Sequence, residues 1–423
     1  MSPPLDQLRS RPMKAWRRLL LLVCVGAPAV LCACTPSRLT AVPASEQEQP
    51  TTVEGMSGIR YWGDEATPEM VRDALDALNR EIAVRQAAGE HGPLPPVDFL
   101  AVSGGGENGA FGAGLLVGWT ATGHRPTFKV VTGVSTGALI APFAFLGPAY
   151  DAQLKDVYTT INGRDVLEPR WLAAALWDDA MADNEPLHRT VAKFVDQRML
   201  DAIAAEYAKG RLLLIGTTDL DARRPVIWNI GELAASGNPR ALDLFRIILV
   251  ASAAVPGAFP PTMINVSVGG KAYQEMHVDG GATTQVFVYP PDVNVAELSR
   301  AQNVTRQRRV YVIRNARLDP EWAQVDRKTL SIAERAVSSL IQTQGVGDIY
   351  RIYLQTQRDH IDFNLAYIPS NFDVLLPQPF DTHFMNELFK VGYSLGAKGY
   401  PWAKLPPGYT APLPTPESAK TEQ

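Results

Sequence analysis

The fold is decided by two neighbouring stretches, VDFLAVSGGGENG at residues 97–109 and FKVVTGVSTG at residues 128–137. In each stretch an apolar run leads into a glycine-rich turn, and a helical pattern of small or apolar residues follows. Strand, turn and helix in that order, twice over, are typical of a parallel sheet with crossover helices. The sequence therefore predicts an α/β protein.

The second turn is a Gly-x-Ser-x-Gly motif that runs from Gly133 to Gly137 with Ser135 at its centre. Its place after a strand and before an apolar helix predicts a nucleophile elbow. In such an elbow the glycines let the two backbones approach, and the serine hydroxyl projects at the end of the sheet. A serine hydroxyl is a weak nucleophile until a base takes its proton, so the motif also requires a base elsewhere in the chain.

The first turn has three interpretations. Gly104, Gly106 and Gly109 match the spacing of a dinucleotide-binding loop, but the next strand ends at Gly133 without the acidic residue that would hold the ribose. A tight turn without a ligand is the second interpretation. We favour the third, an oxyanion hole, because the amides of Gly104, Gly105 and Gly106 lie unshielded where the helix dipole favours negative charge.

Four side chains after Ser135 are candidates for the base. His277, His360 and His383 lie in no glycine-rich or loop signature; we expect the first to be a packed neighbour and the others to be partly exposed at element ends. Asp279 ends an apolar strand and precedes two glycines, which predicts a position at the same edge of the sheet as Ser135. The alternative for Asp279 is an ordinary Asp-Gly turn.

Four blocks of the chain, taken together, resemble the patatin-like phospholipases. In chain order they are residues 104–109, 133–137, 251–261 and 279–281. Each block alone is a weak signal, and their combination in this order is specific. The resemblance implies a three-layer α/β/α patatin-like fold with a mainly parallel central sheet, and lipid acyl hydrolase activity.

The resemblance also assigns roles to residues. It implies a Ser–Asp dyad without histidine, with Ser135 as nucleophile and Asp279 of the Asp279-Gly280-Gly281 motif as base. It implies that the Gly104–Gly106 amides form the oxyanion hole, and it implies no metal or organic cofactor. The family often carries Arg or Lys before the last glycine of the first block. Here Asn108 stands in that place, a change that bears on a preference for charged phospholipids more than on catalysis.

Composition limits the possible partners. Apolar residues make up 46% of the chain and charged residues 20%, as in a globular protein. Without residues 1–33 the chain keeps 35 bases against 43 acids, a net charge of −8, which gives no overall attraction to nucleic acid. The cysteines are Cys24, Cys32 and Cys34, so a disulfide framework or cysteine metal site is excluded further along the chain.

The N-terminal stretch has the pattern of a signal peptide. Basic residues precede an apolar run from Leu19 to Leu31 that is too short to span a bilayer comfortably. The run ends at Cys32-Ala33-Cys34, which resembles a bacterial lipobox and predicts lipidation of Cys34. The alternative is ordinary secretion with cleavage near Ala33, and Met13 is an alternative start. Thr35, rather than an acid, follows Cys34, and this resembles the sorting pattern of outer-membrane lipoproteins.

These observations predict the domain organisation. We expect a lipoprotein signal peptide at residues 1–33, a tether and an N-terminal helix at residues 34–95, an acyl hydrolase domain at residues 96–405 and a disordered tail at residues 406–423. The helix should begin at Pro68 under a Thr67 cap.

The predicted function is a membrane-anchored serine acyl hydrolase of the cell envelope, acting on a lipid or fatty-acyl ester. One alternative is a small-ester or thioester hydrolase with the same residues. The other is a catalytically silent envelope lipoprotein that binds acyl chains.

Overall fold

The computed structural model describes residues 38–169 and 182–410. The predicted signal peptide, Cys34 and most of the predicted tail lie outside these residues. The described strands are β1 (Thr51–Val53), β2 (Met56–Ser57), β3 (Arg60–Trp62), β4 (Val97–Val102), β5 (Val130–Val134), β6 (Glu168–Pro169), β7 (Ala182–Asp183), β8 (Leu212–Asp219), β9 (Arg224–Asn229), β10 (Thr262–Val268), β11 (Lys271–Asp279), β12 (Arg308–Arg314) and β13 (Asp362–Tyr367).

Helices surround these strands. They are α1 (Pro68–Ala87), α2 (Gly109–Ala121), α3 (Thr136–Leu146), α4 (Asp151–Thr160), α5 (Gly163–Val166), α6 (Glu185–Phe194), α7 (Gln197–Ala208), α8 (Ile230–Ala235), α9 (Ala241–Ser252), α10 (Val295–Ala301), α11 (Thr329–Arg358) and α12 (Thr382–Ala397). Short 3₁₀ turns lie at Ala44–Glu46, Gly106–Asn108, Pro148–Tyr150 and Gly280–Ala282. None of the helices in the described ranges has the length and apolar character needed to cross a membrane.

One large sheet organises the described chain. Its centre is five parallel strands in the order β13-β12-β4-β5-β8. Beyond β8 the sheet continues antiparallel through β11, β10, β1 and β2, while β9 and β3 form an antiparallel branch. Sequence analysis predicted the α/β class and a mainly parallel central sheet, and both are confirmed.

The sheet is buried on both faces, which makes three layers. Every residue of β4 is buried, as expected of a parallel strand between two helical layers. Leu100 and Val102 belong to the core on the side of α2, whereas Phe99 and Ala101 pack in a second cluster that includes Ile349 of α11. The α/β/α layering is thereby confirmed.

The described part of the predicted tether is not free. Arg38 forms an ion pair with Asp221 at 2.6 Å, Val53 is fully buried, and β1 pairs with β10. Residues 38–62 therefore pack on and extend the sheet and do not form a free tether. The sequence did not predict these strands, because the segment is polar and contains prolines, and edge strands of two or three residues show little hydrophobic periodicity.

Two helices show how the local sequence relates to helix boundaries and packing. Helix α1 begins at Pro68 with Thr67 accepting a hydrogen bond from the Met70 amide at 3.3 Å, so the predicted cap is confirmed. Helix α11 runs without a break through Gly345 and Gly347. Packing requires glycine at position 345, because a side chain there would collide with the guanidinium of Arg314.

Candidate active site

Ser135 lies in a strained turn between β5 and α3. Its φ of 55° and ψ of −126° belong to a region that residues with side chains rarely adopt. The motif glycines make the turn possible, because a side chain at Gly133 would collide with the Gly137 carbonyl and one at Gly137 with the Val102 carbonyl. The predicted nucleophile elbow therefore has a geometric basis in close backbone approach.

Ser252, the last residue of α9, supports this turn. Its buried hydroxyl accepts a hydrogen bond from the Ser135 amide at 3.0 Å and donates one to the Gly216 carbonyl at 2.6 Å. Ser252 belongs to the block at residues 251–261, but the sequence assigned it no role. Its partners Ser135 and Gly216 are distant in the chain, so no local pattern indicated this role.

Asp279 ends β11 where this strand pairs with the end of β8. The side chain is only 4% exposed, and its Oδ1 accepts a hydrogen bond from the Gly281 amide at 2.7 Å. Oδ2 is also buried, and no described group makes a well-aligned hydrogen bond to it. Asp279 therefore keeps one oxygen available as a proton acceptor.

Burial sets the acidity of this carboxyl. Loss of hydration raises the pKa of Asp279 to about 6, although the nearby Ser135 hydroxyl and the Gly281 amide stabilise the carboxylate and oppose the rise. Serine and aspartate are thus neighbours in one buried site, as predicted. A carboxylate with this pKa is ionised at neutral pH and is a better base than an ordinary aspartate.

The glycine-rich loop meets the elbow. A Cβ at Gly104 would lie 3.2 Å from the Cβ of Ser135, so the loop passes directly beside the serine. The Gly104 amide donates to the Gln285 carbonyl at 3.1 Å, which removes it from the predicted set of oxyanion donors. The amides of Gly105 and Gly106 have no partner among the described residues, and they are the two that can receive developing negative charge.

Gln285 and Asn315 hold this loop, and sequence analysis identified neither. Gln285 accepts from Gly104 and donates its side-chain amide to the Gly281 carbonyl at 3.1 Å. Asn315 donates to the Ser103 carbonyl at 2.9 Å from its side chain. They tie the oxyanion loop to the Asp279 turn and to the end of β12. No sequence pattern marked them, since both follow strand or turn ends without a motif.

A family model describes the segment that holds these residues. Residues 100–291 match the model named patatin-like phospholipase. These residues form a patatin-like phospholipase domain. The match supports a lipid acyl hydrolase, and it includes Ser135, Asp279 and the glycine-rich loop.

Solved structures with low sequence identity are also similar to the chain. VipD from Legionella pneumophila has 10% identity and a TM-score of 0.32, with 71% of this chain and 66% of that chain covered. Human GIVD cytosolic phospholipase A2 has 12% identity and a TM-score of 0.29, with 79% and 54% covered. The chain thus spans just under two thirds of the first protein and about half of the second. No curated protein sequence matches it.

The histidines of the patatin-like domain and its surroundings occupy the predicted environments. His277 is fully buried, with Nδ1 3.0 Å from Thr217 Oγ1 and Nε2 3.0 Å from Glu275 Oε2. His360 and His383 are exposed next to the ends of α11 and α12. Both ring nitrogens of His277 are thus engaged away from Ser135, which leaves Asp279 as the base candidate in this site.

One buried group in the patatin-like domain has the composition of a metal site. Asp219, Glu275 and His277 bring ligand atoms within 4.8 Å of one another. However, the Arg60 guanidinium binds both oxygens of Glu275, with Nη2 2.9 Å from Oε1. Burial would raise the pKa of Glu275, but Arg60 and His277 hold it well below its usual range. Arg60 supplies the positive charge that a cation would otherwise provide.

The glycine-rich loop of the patatin-like domain carries no positive side chain. Asn108 is half-buried in the place where the family often has Arg or Lys. Residues 103–109 contain neither Lys nor Arg. Glu107 beside it is also partly buried, which raises the pKa of its carboxyl. An anionic head group would find no cation on this loop.

Proposed function

We propose that this protein is an envelope-anchored serine hydrolase that cleaves carboxylic esters of lipids through a Ser135–Asp279 dyad. The observation that carries the proposal is the buried carboxyl of Asp279 beside the strained Ser135: its Oδ2 has no well-aligned hydrogen bond from a described group, and its pKa is about 6. The family match to residues 100–291 supports the lipid acyl substrate class.

The first half of the proposed reaction forms an acyl-enzyme. The Ser135 hydroxyl transfers its proton to Asp279 while Oγ attacks the carbonyl carbon of the ester. The amides of Gly105 and Gly106 stabilise the resulting oxyanion. The tetrahedral intermediate collapses, the bond to the leaving alcohol breaks, and Asp279 returns the proton to that alcohol.

The second half releases the acid. Water gives a proton to the Asp279 carboxylate and its oxygen attacks the carbonyl carbon of acyl-Ser135. Collapse of this second intermediate breaks the bond to Ser135 Oγ, which takes the proton back. The net reaction is ester plus water giving a fatty acid and an alcohol, and it uses no cofactor.

Covalent labelling tests the proposal. A fluorophosphonate probe should form a stoichiometric adduct, and mass spectrometry of the digested protein should locate it on Ser135. Heat-denatured protein is the control, because labelling must depend on the folded site. A folded protein that takes no label is the silent acyl-binding lipoprotein, and an adduct on another serine would move the nucleophile.

Profiling the substrate then separates the two kinds of hydrolase. Long-chain glycerolipid esters should be cleaved faster than short esters and thioesters of equal concentration. Because residues 103–109 contain no Lys or Arg, we expect little preference for anionic over neutral head groups. Faster cleavage of short esters would assign the protein to the small-ester hydrolases.

The pH profile follows from the pKa of Asp279. The base must be ionised, so kcat/KM should be constant above about pH 6 and fall about tenfold per pH unit below it. The measurement is kcat/KM on one soluble ester between pH 4 and pH 8, the range that brackets this pKa, with circular dichroism at each pH as the control for folding. A profile that stays flat down to pH 4 would remove Asp279 as the base.

We also propose that Cys34 carries the membrane anchor, on the periplasmic face of the outer membrane. Cys34→Ser should move the protein from the membrane fraction to the soluble fraction, because multiple acyl chains give stable attachment. Cys32→Ser is the matched control and should stay in the membrane fraction. If the Cys34 variant remains bound after a high-salt wash, another part of the chain holds the membrane.

A further inference from the structure

A cavity of about 200 Å³ lies between α1 and the sheet, and we call it the α1 cavity. Its floor is the amino-terminal end of β4, β5 and β8, and its other wall is α10 with the loop that follows it. Ser135 follows the opposite end of β5, five residues or about 16 Å along the strand. None of the proposed catalytic residues lines the cavity.

Contacts at three positions hold α1 over the sheet. Ala77 packs so closely on the chain that a side chain at Gly210 would collide with its carbonyl. Glu81, one turn later, forms an ion pair with Lys129 at 2.7 Å. Asp73, one turn earlier, binds the hydroxyls of Tyr61 and Tyr207. These three positions lie on one face of the helix and fix its distance from the sheet.

The neighbouring face of α1 is apolar and remains underfilled. Val71, Leu75 and Leu78 line the cavity but are only half-buried, although they form the stripe that should face a core. Across from them lie the aliphatic and aromatic side chains of the strand starts, among them Phe99 and Leu212. Pockets that bind small apolar ligands are lined mainly by side chains of this kind.

Cations line one side of this apolar space. Lys129, Arg306 and Arg308 all line the cavity. Lys129 and Arg306 share the single carboxylate of Glu81, with Arg306 Nη1 3.0 Å from Glu81 Oε2. Asp73 also lines the cavity, so the two carboxylates of Glu81 and Asp73 stand against three cations. The remaining positive charge favours an anionic ligand group.

Arg308 is the cation best placed for such a group. Its guanidinium donates to the Ser299 hydroxyl at 2.6 Å and to the Arg306 carbonyl, and it forms no ion pair within the described chain. Asp359 attracts it from a longer distance, but that carboxylate is already bound by Arg358 and by the Tyr289 hydroxyl at 2.8 Å. A half-buried guanidinium without a carboxylate partner is suited to bind one from a ligand.

We infer that the α1 cavity is a binding site for a fatty acid, with the hydrocarbon chain between α1 and the sheet and the carboxylate on Arg308. Two properties of the space carry this assignment: its walls are largely apolar, and Arg308 in its lining has no carboxylate partner within the described chain. The site is separate from Ser135 and does not depend on the proposed hydrolysis.

Photolabelling locates the ligand directly. The purified full chain is irradiated with a long-chain fatty acid that carries a diazirine, and mass spectrometry maps the crosslinks. We expect labelled peptides from α1 and from residues 293–308, with protection by laurate and weaker protection by dodecanol, which has the same chain without the charge. Labelling confined to peptides around Ser135 would overturn the inference, as would equal protection by both competitors.

Substitutions test the two parts of the site. Leu75→Trp fills the cavity from the half-exposed helix and should abolish labelling of these peptides. Arg308→Gln should weaken laurate binding about tenfold, the usual worth of a charge-assisted hydrogen bond. Arg309→Gln is the matched control, since Arg309 pairs with Asp98 outside the cavity and its loss should leave binding unchanged. Unaltered binding in the Leu75 variant would exclude this cavity as the site.

Discussion

Replacing Ser135 by Ala or Asp279 by Asn is expected to lower kcat/KM on a soluble ester by ten-thousandfold or more, on the order seen for catalytic units of this kind. The alanine removes the nucleophilic oxygen. The asparagine keeps the shape of the side chain but cannot take the proton. Because the two groups act as one unit, the double variant should be no slower than either single variant. Steady-state kinetics of the unaltered protein, the two single variants and the double variant form a double-mutant cycle that measures this non-additivity.

The histidines provide the matched comparison. His360→Ala and His383→Ala change exposed side chains that we expect to have no catalytic role. Each substitution should lower kcat/KM by less than about tenfold. His277→Ala removes contacts with Thr217 and Glu275, so its effect should appear mainly as a lower melting temperature. A histidine variant as inactive as Ser135→Ala, combined with an active Asp279→Asn, would make the protein a triad hydrolase.

Stability should respond to Asp279→Asn in the opposite direction from activity. The folded-state pKa is raised from the ordinary value to about 6. The neutral carboxyl therefore contributes stability that is fully present below the unfolded-state pKa and is lost as pH rises through about 6. At pH 8 the buried charge destabilises the fold by up to about 3 kcal/mol, and asparagine removes it. We expect the variant to melt higher than the unaltered protein at pH 8, with a smaller difference at pH 4.

The two reactive side chains could be predicted because their chemistry needs a local sequence. Ser135 requires glycines on both sides, where strand and helix backbones cross, and Asp279 requires glycines after a strand end. Such constraints act between neighbours in the chain and leave a pattern. The strand and helix order followed from hydrophobic periodicity in the same way.

The supporting residues could not be predicted because their constraints are tertiary. Ser252 binds the Ser135 amide from 117 positions along the chain, and Asn315 binds Ser103 from 212 positions. Nothing in their own neighbourhoods records these bonds. The oxyanion prediction failed at Gly104 for a related reason: three consecutive glycines indicate exposed amides, but only the position of Gln285 decides which amide is occupied.

Gly105→Ala is expected to lower kcat by 100-fold to 1,000-fold, about the loss seen when one oxyanion donor is removed. The glycine has a φ of 152°, which residues with a side chain rarely adopt, and a Cβ there would collide with the Asn315 carbonyl. That carbonyl belongs to backbone fixed at the end of β12, so the loop must move instead. The loop amides would then leave the position of the developing oxyanion, and since this charge exists only in the transition state, KM should change little.

Gly106→Ala is the control for Gly105→Ala. It distinguishes displacement of the oxyanion-donating amides from a general effect of placing alanine in the loop. Gly106 also has a positive φ, 56°, but a Cβ there would meet nothing within 4 Å. Alanine costs about 1–2 kcal/mol in that backbone region, so the melting temperature should fall slightly while kcat falls less than tenfold. Both variants keep Ser135 and Asp279, so both should still react with a fluorophosphonate, the Gly105 variant more slowly. If the two variants lose the same activity, contact with Asn315 does not set the loop position, and if Gly105→Ala stays fully active, its amide is not an oxyanion donor.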